Sequence, residues 1–172
     1  PDTVLVSVML VNNELGTIQP VKAAAEAIRR TQCPALLHTD AVQAAGHVKI
    51  DVNAMHIDML SLSAHKFHGP KGVGMLYARR GIILTNLIEG GAQERGKRGG
   101  TENVPGIAAM AAALKEACAN MDENTKKVTA LRDKLIDGIS KIPHCALNGA
   151  RAPRLPGNVN FCFEGIEGES LL

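Results

Sequence analysis

Clusters of polar residues stand directly behind apolar runs, and each carries a group able to do chemistry. Asn12 and Asn13 follow the first run, Asp40 and Gln43 the second, and Ser63, His65 and Lys66 the third. A later glycine-rich stretch, Gly90 to Gly100, holds Gln93, Glu94, Arg95 and Arg98, with Thr101 just behind it. Taken singly, each has an ordinary use. Asp40 would serve as a turn or helix-cap residue, Lys66 as a solvated loop cation, and the paired glycines as turns. His65 and His68 could share a metal, but no third ligand at matching spacing accompanies them. Gly69-Pro70-Lys71-Gly72 has a phosphate-loop composition without the spacing such loops need. No G-x-G-x-x-G fingerprint follows the first run, so a dinucleotide site has no support.

Taken jointly, the residues suit pyridoxal 5'-phosphate. That cofactor needs a lysine amine to condense with its aldehyde, an acid beside its ring nitrogen and a cradle for its phosphate. Lys66 supplies the amine. Asp40 would keep the ring nitrogen protonated, because an adjacent opposite charge favours the charged form. Gln43 can donate to the ring's phenolate oxygen, and Asn13 can reach that edge or a substrate carboxylate. Ser63 and His65 can bind phosphate oxygens through hydroxyl, imidazole and backbone N–H groups. Lys66 must shed its proton to act as a nucleophile, which burial and neighbouring cations favour.

The elements that must position these groups read as an alternation of strands and helices. Thr3 to Val11 is β-branched and almost wholly apolar, the pattern of a strand buried on both faces of a parallel sheet. Pro20 suits a helix start, and Val21 to Arg30 is amphipathic. Ala35 to Thr39, Ile57 to Ser63 and Val73 to Ala78 read as further strands, with Ile82 to Leu87 as another segment of sheet. Ala41 to Gly46 is a small-residue turn or helix start. Val104 to Asn120 is alanine-rich with strong helix propensity, capped at Thr101 or Glu102, and Glu123 to Ile139 is a second long helix. Ala146 to Asn148 and Asn158 to Phe163 read as strands. The order predicts an α/β fold with a mainly parallel sheet and helices on both faces, followed by the start of an α+β unit. The boundary is placed at residue 110: a large domain over 1–110, then a connecting helix and the start of a small domain over 111–172. In open α/β sheets ligands bind at the carboxyl ends of strands, which is where the polar clusters fall.

Composition narrows the function classes. The 172 residues carry 19 Lys+Arg against 17 Asp+Glu, a net charge of +2. That balance, with 2% aromatic residues and no Trp, argues against a nucleic-acid binder. No apolar run approaches the roughly 20 residues that cross a bilayer, so no membrane role is expected. The 4 cysteines, Cys33, Cys118, Cys145 and Cys162, are widely spaced with no C-x-x-C pair. They fit reduced thiols in a cytoplasmic protein rather than a zinc cage or disulfide framework. Cys162, in a predicted strand, is expected to be buried.

The motifs also fall in one recognisable order. Asn12-Asn13-Glu14-Leu15-Gly16, His38-Thr39-Asp40-Ala41-Val42-Gln43, Ser63-Ala64-His65-Lys66-Phe67-His68-Gly69-Pro70-Lys71-Gly72, the stretch Gly90 to Thr101, and Glu164 to Leu171 together resemble the cysteine desulfurases, the NifS-like branch of the class V aminotransferase-fold enzymes. The resemblance covers essentially the whole chain. It implies a fold type I large domain followed by the start of the small domain. It implies that Lys66 holds pyridoxal 5'-phosphate, with Asp40 on the ring nitrogen, Gln43 on the ring oxygen and Asn13 near cofactor and substrate. Ser63 and His65 would bind the phosphate, and Thr101 would reach the partner subunit's phosphate in a homodimer. The implied reaction converts L-cysteine to L-alanine and passes the sulfur, through an enzyme cysteine persulfide, to an acceptor such as an iron–sulfur scaffold protein.

Four features of the family have no match in this chain: the persulfide-forming cysteine, the arginine that anchors the substrate carboxylate, the phosphate-binding Thr loop and the histidine that stacks on the ring. None of the four cysteines falls at a matching position. The chain opens at Pro1 without Met and closes where an apolar helix is starting, at Gly168 to Leu172. The reading is therefore of a fragment, inactive on its own. Selenocysteine lyases and other class V enzymes share the same cofactor residues and form the first alternative. A non-catalytic paralogue acting as a binding partner is the second, and retention of both Lys66 and Asp40 weighs against it.

Overall fold

The computed structural model describes residues 2–171. Side chains alternate across a strand, and β2 (Leu36–Asp40) shows what this does here. Leu37 and Thr39 are buried on one face, while His38 and Asp40 point to the other and are half-buried. The neighbouring strands β1 (Leu5–Met9) and β3 (Met59–Ser63) run parallel to it, and β4 (Gly74–Ala78) closes the order β1-β2-β3-β4 antiparallel to β3. Thr39 pairs with Val8 and Leu60, so those positions share the apolar face. Met9 pairs with Asp40, and Asp40 with Ser61, on the opposite one.

The core grows from the apolar face. Leu37, Leu60 and Leu62 join Val21 and Ala25 of α1 (Val21–Arg30) in one cluster. Two long helices follow α2, the four-residue turn Gln93–Gly96: α3 (Val104–Ala119) and α4 (Met121–Ile139). Met110 of α3 belongs to the same cluster, with Ala113, Leu114 and Ala117 packed against it. A second sheet pairs β5 (Cys145–Leu147) with β6 (Phe161–Phe163), antiparallel. No helix among the described residues is long and apolar enough to cross a membrane.

Several expectations need correction. β1 is not buried on both faces. It is the edge of its sheet, Leu5 is 47% exposed and Ser7 is exposed, because no strand among the described residues lies beyond it. Ile82 to Leu87 is not sheet, and Ile83 and Leu87 are almost wholly exposed. The Arg79 guanidinium binds the Val52 and Ile57 carbonyls just after β4, and the chain leaves the ladder there. An apolar run without a partner strand cannot satisfy its backbone groups as sheet. The cap of α3 is Asn103, whose side chain accepts the Gly106 N–H at 3.1 Å, not Thr101 or Glu102. The carboxyl-terminal turn Gly168–Leu171 is 3-10, and Leu172 lies outside the described residues. Cys162 is exposed: β5–β6 has only two strands, and Cys162 points away from the face shared by Phe161 and Phe163.

Candidate functional site at the strand ends

Parallel pairing brings three strand ends together. The Leu10 N–H donates to the Asp40 carbonyl at 2.8 Å, and the Ala41 N–H donates to the Ser61 carbonyl at 2.9 Å. Residues following β1, β2 and β3 therefore leave one edge of the sheet side by side.

The first exit is a turn shaped by Asn12. Its Oδ1 accepts the N–H groups of Glu14 at 3.0 Å and Leu15 at 2.8 Å, an Asx-type arrangement. Asn13 is exposed on that turn. The second exit begins at Asp40, whose Oδ1 accepts the Val42 N–H at 2.9 Å. Val42 to His47 then form consecutive turns that present Gln43, half-buried. The third exit is Ser63, followed by a 3-10 turn, Ala64–Phe67. Phe67 and Ala64 are fully buried in the core, so Lys66 and His65 between them must face outward. His47 Nε2 donates to the Lys66 carbonyl at 3.1 Å and ties the second exit to the third. Lys66 is exposed, contrary to the expectation of burial, because nothing among the described residues covers this edge.

Asn13, Asp40, Gln43, Ser63, His65 and Lys66 thus share one edge. No hydrogen bond among the described residues ties Thr101 to them: residues 86–103 form their own hydrogen-bonded loop, with none of those bonds reaching residues 10–68. Among the described residues no cation pairs with Asp40 and no carboxylate pairs with Lys66.

Two features escaped the residue-by-residue reading. Beside Ser63 and His65 lies an open hollow of about 540 Å³, lined also by Lys71, Gly72, Val73 and Gly74. Lys71 adds a cation to the two expected anion ligands. The other feature is His38, whose Nδ1 lies 2.8 Å from Ser7 Oγ and whose Nε2 lies 3.2 Å from Ser61 Oγ. These bonds link three parallel strands on the Asp40 face, and the two-residue spacing of His38 and Asp40 was its signal. A larger hollow of about 660 Å³ is mostly apolar, with Leu60, Leu62, Tyr77, Leu114 and Cys118 in its lining.

The sequence pattern of the Aminotransferase class-V family matches residues 1–172. The chain belongs to that family. Among curated relatives, the cysteine desulfurase IscS of Methanosarcina thermophila is 54% identical over 171 residues, 99% of this chain and 42% of the relative. The chain therefore spans less than half of that relative's length. Among solved structures, a NifS-like protein superposes with a TM-score of 0.95 at 42% identity, covering 99% of this chain and 46% of that one. DndA from Streptomyces lividans superposes with a TM-score of 0.86 at 38% identity, over 99% of this chain and 48% of that one. The mixed sheet with its packed helices is thus the class V aminotransferase fold that the resemblance implied, within the α/β class that the order of elements predicted.

Proposed function

We propose that the protein containing these residues is a pyridoxal 5'-phosphate-dependent cysteine desulfurase. The observation that carries this reading is the placement of Asp40 and Lys66 at neighbouring strand ends, each without an ionic partner among the described residues. Left apart, they suit a ligand that brings its own cationic nitrogen and an electrophilic carbonyl. The hollow beside Ser63, His65 and Lys71 suits that ligand's phosphate. When bound, the cofactor supplies an electron sink that acidifies the substrate Cα–H.

The chain's own residues would then divide the work. Lys66 would hold the cofactor covalently and, with its amine free, would move the substrate Cα proton. Asp40 holds the proton on the ring nitrogen, Gln43 donates to the ring oxygen, and Asn13 orients the cofactor edge or the substrate carboxylate. Ser63 and His65 bind the phosphate. Sulfur transfer to a persulfide needs a cysteine thiolate, and none of Cys33, Cys118, Cys145 or Cys162 stands at the strand-end cluster. On this reading the nucleophile belongs to other residues of the whole protein, and the 172-residue chain alone releases no sulfide. The substrate is L-cysteine, and the sulfur acceptor is a protein such as an iron–sulfur scaffold in the cytoplasm. A homodimer would place Thr101 on the partner subunit's phosphate, which suits a loop that makes no bond to its own chain's site. The same reading divides the chain into a cofactor domain over 1–110 and the start of a small domain over 111–172.

The test uses the full-length protein. With added cofactor it should turn yellow, borohydride should fix the label on Lys66, and Lys66→Ala should abolish both while retaining the circular dichroism of the fold. A colourless wild-type protein, or a label on another residue, would end this reading.

A further inference from the structure

The turn that presents Asn13 is held from the far end of the chain. The Glu14 carbonyl accepts two side-chain amides, Asn158 Nδ2 at 2.9 Å and Asn160 Nδ2 at 3.1 Å. The Leu155 N–H donates to the Gly16 carbonyl at 2.7 Å, and Thr17 forms an isolated antiparallel bridge with Arg154. The approach is closest at Gly16. A Cβ there would lie 2.4 Å from Asn158 Cγ, and the φ of +68° is one that side-chain-bearing residues rarely adopt.

Behind this contact sits Arg154, only 5% exposed. Its Nε donates to the Ala150 carbonyl at 2.9 Å and its Nη1 to Asn158 Oδ1 at 2.9 Å, while Nη2 donates to the Asn148 carbonyl. Among the described residues no carboxylate pairs with it. Burial, and secondarily the charge of Arg132, hold its pKa below the usual arginine value. A buried cation without a counter-ion is costly, so stability alone is a poor reason for it. Its geometry supplies another. Arginine only donates, so Asn158 must turn its Oδ1 toward Arg154 and its Nδ2 toward Glu14. Asn148 Nδ2 donates to Asn160 Oδ1 at 2.8 Å, which leaves the Asn160 Nδ2 free to donate to Glu14. Asn158 is fixed in the donating sense by Arg154, and Asn160 is oriented with it by the shared Glu14 carbonyl, which only accepts.

We propose that Arg154, Asn158 and Asn160 are positioning residues that clamp the Glu14 carbonyl and so set where Asn13 points. Seating of residues 148–160 on the Asn12–Thr17 turn is then a condition for a working site, not only for a stable one. The inference rests on the role given to Asn13 under the proposed function.

Asn158→Asp isolates the contact. It keeps an acceptor for Arg154, now as an ion pair, but removes the donor to Glu14. Asn160→Ala is the second variant; it removes the other donor to Glu14 and leaves the Arg154–Asn158 contact in place, at the loss of the Asn148 Nδ2 bond. Both are compared with Asn13→Ala in full-length, cofactor-loaded protein by visible spectrum against pH, KM and kcat for L-cysteine, and thermal midpoint. The expected result is a spectral titration displaced in the same direction as in Asn13→Ala, with kcat/KM lower by about 3- to 10-fold. Combining either variant with Asn13→Ala should add nothing further, because both act through one side chain. Wild-type spectra and kinetics in both clamp variants, with Asn13→Ala impaired, would overturn the clamp alone. So would fully additive losses, or losses that only follow a lowered thermal midpoint. A colourless wild-type protein or a silent Asn13→Ala would instead sink the reading beneath it and the clamp together.

Discussion

Asp40 ends its strand half-buried, with Oδ1 bound to a backbone N–H and no ion pair to it among the described residues. A carboxylate so placed is prepared for a charge brought by a ligand. Asp40→Asn keeps shape and the bond to Val42 while removing that charge. A hydrogen bond to a charged group contributes about 1.5–3 kcal/mol. The full-length variant should therefore hold pyridoxal 5'-phosphate roughly 10- to 100-fold more weakly, measured by dialysis against the free cofactor with absorbance detection. Retention equal to wild type would remove Asp40 from the site. At this scale the residue types were legible in the sequence, since Lys66, Asp40, Ser63 and His65 sit where apolar runs stop. The amide directions of Asn158 and Asn160 were not, because they depend on Arg154, Asn148 and the distant Glu14 carbonyl, which meet only in the folded chain.

The 3-10 turn Ala64–Phe67 shows how an element aims a side chain. Phe67 and Ala64 are both 0% exposed, and the residues between them are pushed outward. Gly46 allows this packing: its φ is +79°, and a Cβ there would meet Ala117 of α3 at 2.9 Å and Phe67 at 3.1 Å. Phe67→Ala should cost about 3–5 kcal/mol, the usual loss for truncating a buried phenylalanine. Denaturant titration should show the fall, and cofactor attachment to Lys66 should weaken with it as the turn loses its peg. A change under 1 kcal/mol would mean the turn is held otherwise. Most strand and helix positions followed from periodicity, with ends displaced by up to three residues, the most at β6, which begins at Phe161 rather than Asn158. β1 and Ile82 to Leu87 misled because an apolar run looks the same in a central strand, an edge strand and a projecting loop. Only the presence or absence of a neighbour separates them.

At the scale of the whole chain, the four-stranded sheet has β1 and β4 as its edges, with no further strand on either among the described residues. Val4 is 78% exposed, Leu5 47% and Leu76 52%, and Ile83 and Leu87 project beyond β4. Unpaired edges with apolar side chains invite further strands or another copy. The 172-residue chain on its own should therefore self-associate, with a weight-average mass that rises with concentration in sedimentation equilibrium. Leu5→Lys with Leu76→Lys should shift that mass toward the monomer, and a monomer at all concentrations without the changes would contradict the edge argument. Distant contacts also act at this scale. Residues 148–160 reach back to Glu14 and Gly16, so the sheet and the carboxyl-terminal unit cannot be treated as independent near the site.

The amino-acid order by itself determined the alternation of elements, the apolar face of α1 and the polar residues that follow each strand. These depend on local periodicity and on which side chains can be left in water, and both are written within a few neighbouring positions. Tertiary structure alone decided which strand ends stand together, that Lys66 is exposed at one edge, and that an uncompensated arginine backs the Asn13 turn. Those outcomes depend on pairing register and on contacts between distant segments, where each partner's geometry exists only once the other is in place.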